Sequence, residues 1–259
     1  LKRKVITQPS YKNMNAEIDN LKKEIDSFRP FKKQLLNQLQ QFYRIGFTYS
    51  SNALEGNSLT ESETKIVIED GLTIGGKTIK EHNEALGHSE AYTYLYTLAK
   101  NKTVTEADIL ELHRLFYYRI DAKEAGKYRK QQVYISGTDY LPPKFNDIPA
   151  LMKKFILDIN DSKKNIHPVT LAAMLHERIV TIHPFIDGNG RTARLVMNLY
   201  LMQNDYPIII IPPILRNDYI SSIRLANLGD TEPFYNFISY IGYESSRDYL
   251  RLLNHFHGK

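Results

Sequence analysis

Apolar residues recur at helical spacing through most of the chain. Between Tyr11 and Tyr43 they fall at Met14, Ile18, Leu21, Ile25 and Phe28, then at Leu35, Leu36, Leu39 and Phe42. Each set lies on one face of a 3.6-residue helix. Arg29-Pro30 breaks the pattern, because the residue before a proline avoids helical backbone, so two helices are predicted. The intervening Lys and Glu form a solvated face, and two short stretches do not establish a coiled coil. The segment Phe47–Asn57 predicts a short helix ended by Gly56, and Thr60-Glu-Ser-Glu63 is a capping box opening a helix that Gly71 closes. Helical patterns follow over 80–99, 106–118 and 147–160. From Pro168 to Ile182, Leu171, Met174, Leu175, Ile179 and Ile182 share one face. A glycine-rich turn separates this from a helix carrying Leu195, Val196, Leu199 and Tyr200, and 217–227 and 233–254 are again helical.

One stretch has a different period. Gln132-Val-Tyr-Ile-Ser-Gly-Thr-Asp-Tyr-Leu-Pro-Pro143 places β-formers on both sides of Gly137, which predicts a short hairpin that the two prolines confine to an edge or flap. The expected fold class is mostly α, a helical bundle with one short β-hairpin.

Composition narrows the chemistry. The chain has no cysteine, which removes disulfides, thiolate zinc sites and cysteine nucleophiles, and fits a reducing, cytoplasmic setting. No apolar run approaches the roughly 20 residues a membrane span needs, so no membrane partner is expected. The basic start Leu1-Lys-Arg-Lys4 has no apolar stretch after it and is not a secretory signal. The 34 basic and 29 acidic side chains leave a net charge of +5. That favours an anionic partner such as a nucleotide, but is too small to point to nucleic acid.

The chemically informative segment is His183-Pro-Phe-Ile-Asp187-Gly188-Asn189-Gly190-Arg191-Thr-Ala-Arg194. His183 stands where one helix ends. Gly188, Asn189 and Gly190 can turn successive backbone N–H groups into one concavity, and the next helix starts there. A glycine turn at a helix N-terminus is an anion site, most often for phosphate. Arg191 and Arg194, three apart, can grip phosphate oxygens. Asp187 is a hard oxygen ligand suited to Mg²⁺. His183 can accept a proton near neutral pH. A lone histidine or a lone Gly-Asn-Gly is usually structural; all of these in this order, between two amphipathic helices, are not.

His-x-Phe-x-Asp-Gly-Asn-Gly-Arg-x-x-Arg resembles the Fic family signature without departure. Ala125-Gly126-Lys-Tyr128-Arg129 with Val133 and Pro142-Pro143 resembles the family's flap region. Gly229-Asp230-Thr-Glu-Pro233-Phe234 resembles an element that follows the central helix pair. The resemblance covers about residues 46–240. It divides the chain into a helical arm, 1–45, and a catalytic domain, 46–259, that includes an inhibitory helix at about 47–57. It implies a Fic-type bundle with the flap beside the active site, and transfer of AMP from ATP, with Mg²⁺ or Mn²⁺, to a Tyr, Thr or Ser hydroxyl of a target protein. His183 would be the base, Asp187 the metal ligand, and Gly188, Asn189, Gly190, Arg191 and Arg194 the phosphate site. Tyr219 and Asn227 would line the adenine pocket, while Val133, Tyr134 and Ile135 would dock the target. Ser51-Asn-Ala-Leu-Glu55-Gly56 resembles the inhibitory motif, in which Glu55 pairs with Arg194 and excludes the γ-phosphate. Glu55 could also orient a water that removes AMP. The resemblance further allows a homodimer.

Two other readings compete. Some Fic-fold proteins move another nucleotide or phospho group, and a non-enzymatic nucleic-acid-binding or toxin–antitoxin module would use the basic surface. His176, Glu177 and His183 suggest a metallohydrolase, but His-Glu-x-x-His is absent because position 180 is Val. No Walker A motif occurs.

Overall fold

In the computed structural model, residues 10–163 and 165–256 are described; the basic start Leu1–Lys4 lies outside them. The described residues form α1 (Asn15–Asp26), α2 (Lys33–Ala53), α3 (Glu61–Lys65), α4 (Ile79–Leu98), α5 (Glu106–Tyr117), α6 (Ile148–Ser162), α7 (Pro168–Ile182), α8 (Asn189–Gln203), α9 (Arg216–Asn227) and α10 (Glu232–Phe256). The expected capping box is present at Thr60, and two more, at Thr78 and Thr105, open α4 and α5. In each, the threonine hydroxyl accepts from the backbone three residues on while the acidic side chain there reaches back.

The helices pack around the α7–α8 pair. Leu171, Leu175 and Ile179 from α7 and Leu195, Val196 and Leu199 from α8 are wholly buried. α4 and α5 cover one side, and α10 with α1 the other. The stretches expected as separate helices before and after residue 46 are one 21-residue helix, α2. A single interior glycine, Gly46, costs only about 1 kcal/mol and does not stop it.

The expected mostly helical bundle is present, but the hairpin is not: among the described residues no strand forms. The chain from 131 to 143 forms no regular element and only turns at Ser136-Gly137. Carbonyls a ladder would use are taken by side chains. Arg129 donates to the carbonyls of Gln131 (2.9 Å) and Pro143 (2.6 Å), and Gln132 Nε2 donates to that of Pro142 (3.0 Å). Pro142 and Pro143 have no N–H to offer in return.

Close approach of α4 to α5 depends on Gly87. A Cβ there would lie 2.2 Å from the Phe116 carbonyl oxygen. We expect Gly87→Ala to force the two helices apart and to destabilise the fold by about 1–3 kcal/mol, read as a lower urea midpoint at unchanged m-value.

Candidate active site

His183 caps α7 with left-handed backbone (φ 51°, ψ 59°), uncommon for a residue with a side chain. Arg129, wholly buried, holds it there. Its Nε donates to the His183 carbonyl (2.8 Å) and its backbone N–H to that of Pro184 (2.9 Å). The His183 ring lies with Nδ1 3.2 Å from the Val180 carbonyl. Since a carbonyl only accepts, Nδ1 carries the hydrogen and Nε2 keeps its lone pair. Burial lowers the His183 pKa from its ordinary value. The Val180 contact opposes this, and Arg129 adds to the lowering.

The loop to α8 closes on itself. Asn189 Oδ1 accepts from the Phe185 N–H and its Nδ2 donates to the Phe185 carbonyl, both at 2.9 Å. The Asn189 carboxamide is therefore spent on the loop, leaving its backbone for a ligand. A residue not anticipated from sequence fixes the rest. The Gly126 N–H donates to His113 Nδ1 (2.9 Å), so His113 Nε2 must donate to the Asp187 carbonyl, 3.1 Å away. The His113 ring stacks on Phe185 with centroids 3.7 Å apart. Burial pushes the His113 pKa down to about 4. Its sequence signal was a histidine on the apolar face that Ile109, Leu112 and Phe116 define.

At the α8 N-terminus a carboxylate of the chain itself lies against Gly190. A Cβ on Gly190 would sit 2.2 Å from Glu55 Oε1, so only glycine admits this carboxylate against the helix end. Glu55 Oε1 also meets Arg194 Nη2 at 2.7 Å. The Arg194 side chain is 1% exposed and donates as well to Ser51 Oγ (2.9 Å), the Ser51 carbonyl (2.8 Å) and the Tyr219 hydroxyl (3.0 Å). Burial would raise the Glu55 carboxyl, but Arg194 and then Arg191 outweigh it and hold it below its ordinary value. Arg191 is paired with Glu84 (2.8 Å) and lies over the Phe116 ring. Glu84 in turn accepts from Asn57 Nδ2 (2.8 Å), one residue past Gly56. Asp187 caps the Gly188 N–H through Oδ1 (2.6 Å), meets Lys80 at 3.8 Å through Oδ2, and is 42% exposed.

The Fic/DOC family model matches residues 103–201, which hold this loop and both helices around it. The structure of Fic-1 from C. elegans superposes with a TM-score of 0.83 at 32% identity, over 93% of this chain and 72% of that one. The chain belongs to the Fic/DOC family. A Fic domain containing signaling protein from Bacteroides thetaiotaomicron also superposes with a TM-score of 0.83, at 29% identity over 91% of this chain and 96% of its own. A protein adenylyltransferase Fic of Drosophila grimshawi is 44% identical over 193 residues, 74% of this chain and 40% of that protein. The chain thus spans about two fifths of the length of such curated relatives.

In this Fic/DOC chain, Ser51, Glu55, Arg191, Arg194 and Gly188–Gly190 converge as expected. Tyr219 does not line an open pocket. It is buried behind Arg194, its hydroxyl between Arg194 and His176 Nε2 (2.8 Å), and so buttresses the arginine. Asn227 is partly exposed at the end of α9 and touches the Thr181 hydroxyl at 3.0 Å. On the flap, Tyr134 is 79% exposed while Val133 and Ile135 are half-buried.

His88, His113 and His176 are wholly buried, and burial lowers the pKa of each. Below the ordinary value of 6.5 the unfolded chain binds protons that the folded chain refuses, so stability falls as pH falls. From His113 alone we expect a loss of about 1.4 kcal/mol per pH unit between roughly pH 6 and 4, with His88 and His176 adding in the same direction. Urea titrations at stepped pH check this; stability unchanged from pH 6.5 to 5 would contradict it.

Proposed function

We propose that this chain is a protein adenylyltransferase that moves AMP from ATP to a Tyr, Thr or Ser hydroxyl of a target protein, and that Glu55 holds it off. The observation that carries this is the Glu55 carboxylate against Gly190 at the α8 N-terminus, 2.7 Å from Arg194 Nη2. An anion is thus accommodated there, close to a histidine whose pKa burial lowers. The name of the Drosophila relative, shared with several more at similar identity, supports the same reading.

The residues supply the steps in order. The backbone N–H groups of Asn189 and Gly190 and the Arg191 side chain hold the inner phosphates, while the Gly188 N–H is held by Asp187. Arg194 takes the γ-phosphate once Glu55 leaves, because two anions cannot share that guanidinium at close range without repulsion. His183 Nε2 accepts the proton of the target hydroxyl. The oxygen bonds to the α-phosphorus, and the bond from α-phosphorus to the bridging oxygen breaks, releasing diphosphate. The Val180 carbonyl, which accepts from Nδ1–H, stabilises the imidazolium so formed. Asp187 fits Mg²⁺ or Mn²⁺: it is a half-open carboxylate, and Mg²⁺ takes one or two carboxylates plus phosphate and water oxygens. Bound there, the ion would neutralise phosphate charge. The flap would pair with a target segment through its backbone. With a third of its side chain exposed, Glu55 could also orient water for AMP removal.

Glu55→Gly should raise AMP incorporation from labelled ATP by about tenfold or more, the equivalent of ~1.4 kcal/mol of relieved competition. His183→Ala in that background should lower it by about 10²–10⁴. Equal labelling of Glu55→Gly and the parent would sink the brake. In the Glu55→Gly enzyme, the acid limb of kcat/KM should have its midpoint below pH 6.5, since the base must be unprotonated and its pKa lies below the ordinary value; a midpoint above pH 7 would remove His183 as the base.

A further inference from the structure

Asp187 has one oxygen committed to the loop and one turned outward. Its Oδ1 accepts from the Gly188 N–H at 2.6 Å and lies 3.5 Å from Arg191 Nη2, whereas Oδ2 faces the Lys80 ammonium at 3.8 Å. The same Nζ is 4.0 Å from Glu84 Oε1, so it stands between two carboxylates. Both separations exceed hydrogen-bonding range, and the Lys80 side chain is 58% exposed. Attraction between charges holds it there, and its flexible four-carbon stem lets it swing away.

The other cations of the site are fixed. Arg191 is buried, 2.8 Å from Glu84 and over the Phe116 ring, and Arg194 is held by Ser51, Tyr219 and Glu55. Lys80 is the one that can move. Nor does its own helix call for it. Lys80 is the second residue of α4, where a positive charge opposes the helix dipole, and Glu81 of the Thr78 capping box already serves that end. Its place is explained by the carboxylates it faces, not by the helix it stands on.

We propose that Lys80 is a resident counter-ion that holds the place of the divalent ion at Asp187. An ammonium and a divalent ion cannot share Oδ2 at such range without repulsion, so Lys80 withdraws into solvent as the site loads. Lys80 thereby sets the metal demand of nucleotide binding. The inference rests on the reading of Asp187 as the metal ligand.

The test is calorimetric titration of ATP, once with Mn²⁺ and once with EDTA, into Glu55→Gly/His183→Ala protein, which binds without turnover. The readout is the ratio of the two affinities, Mn²⁺ over EDTA. Lys80→Gln should raise it at least ~3-fold, the scale of an exposed ion pair that no longer has to break. Lys80→Arg, which keeps the charge, should leave it as it was. Asp187→Asn, which keeps an oxygen for the Gly188 N–H, should lower the ratio, and adding Lys80→Gln to it should change nothing further. This arm separates the ion pair from the general attraction of a lysine for ATP, which does not need Asp187. Thermal melts confirm that each variant is folded. An unchanged ratio in Lys80→Gln, or an equal rise with and without the Asp187 carboxylate, overturns the counter-ion role while metal-dependent nucleotide binding stands. A ratio that Asp187→Asn leaves intact overturns the metal reading and this inference with it, and ATP bound under neither condition overturns the nucleotide reading as well.

Discussion

A guanidinium buried to 1% exposure organises this molecule. An unpaired charge at such depth would cost several kcal/mol, so Arg194 must always have acceptors around it. Ser51 and Tyr219 supply neutral ones from α2 and α9, and Glu55 supplies the counter-charge. Two helices distant in sequence, α2 and α9, are thereby tied to α8. The same requirement underlies the proposed brake. Under that proposal a carboxylate or a phosphate at the α8 N-terminus would satisfy the same buried cation, and the two would compete.

A second set of constraints shapes the loop. Arg129, His113 and Asn189 each satisfy backbone groups of residues 183–187. The carbonyls of His183, Phe185 and Asp187 and the N–H of Phe185 are thereby engaged. The nest and the histidine are thus preorganised before any ligand arrives, which is what electrostatic stabilisation of a transferring phosphoryl group requires.

Much of this was legible in the sequence, for identifiable reasons. The loop from His183 to Arg194 is contiguous, so spacing alone placed base, nest and arginines together. The capping box at Thr60 is likewise local. What escaped was set by distance. His113 and Glu84 reach the loop from helices about 70 and 100 residues upstream, and no local pattern marks a side chain that serves a remote backbone. The flap was read as a hairpin from its β-formers, but side chains of Arg129 and Gln132 capture its carbonyls, which propensity does not register. Tyr219 was expected at the base because of its motif position, whereas its hydroxyl is turned inward by Arg194 and His176.

The continuity of α2 has a mechanical side. Glu55 follows a helix of 21 residues, roughly 30 Å long at 1.5 Å per residue. At its middle Tyr43 stacks on Tyr249 of α10, and Phe31, just before its opposite end, lies 6.5 Å from the same ring. Such a rod acts as a lever. A tilt of about 5° about its midpoint displaces each end by roughly 1 Å, enough to stretch a 2.7 Å contact beyond hydrogen-bonding range. The proposed brake therefore sits at one end of an element whose other end lies about 30 Å away, where a small tilt could be applied.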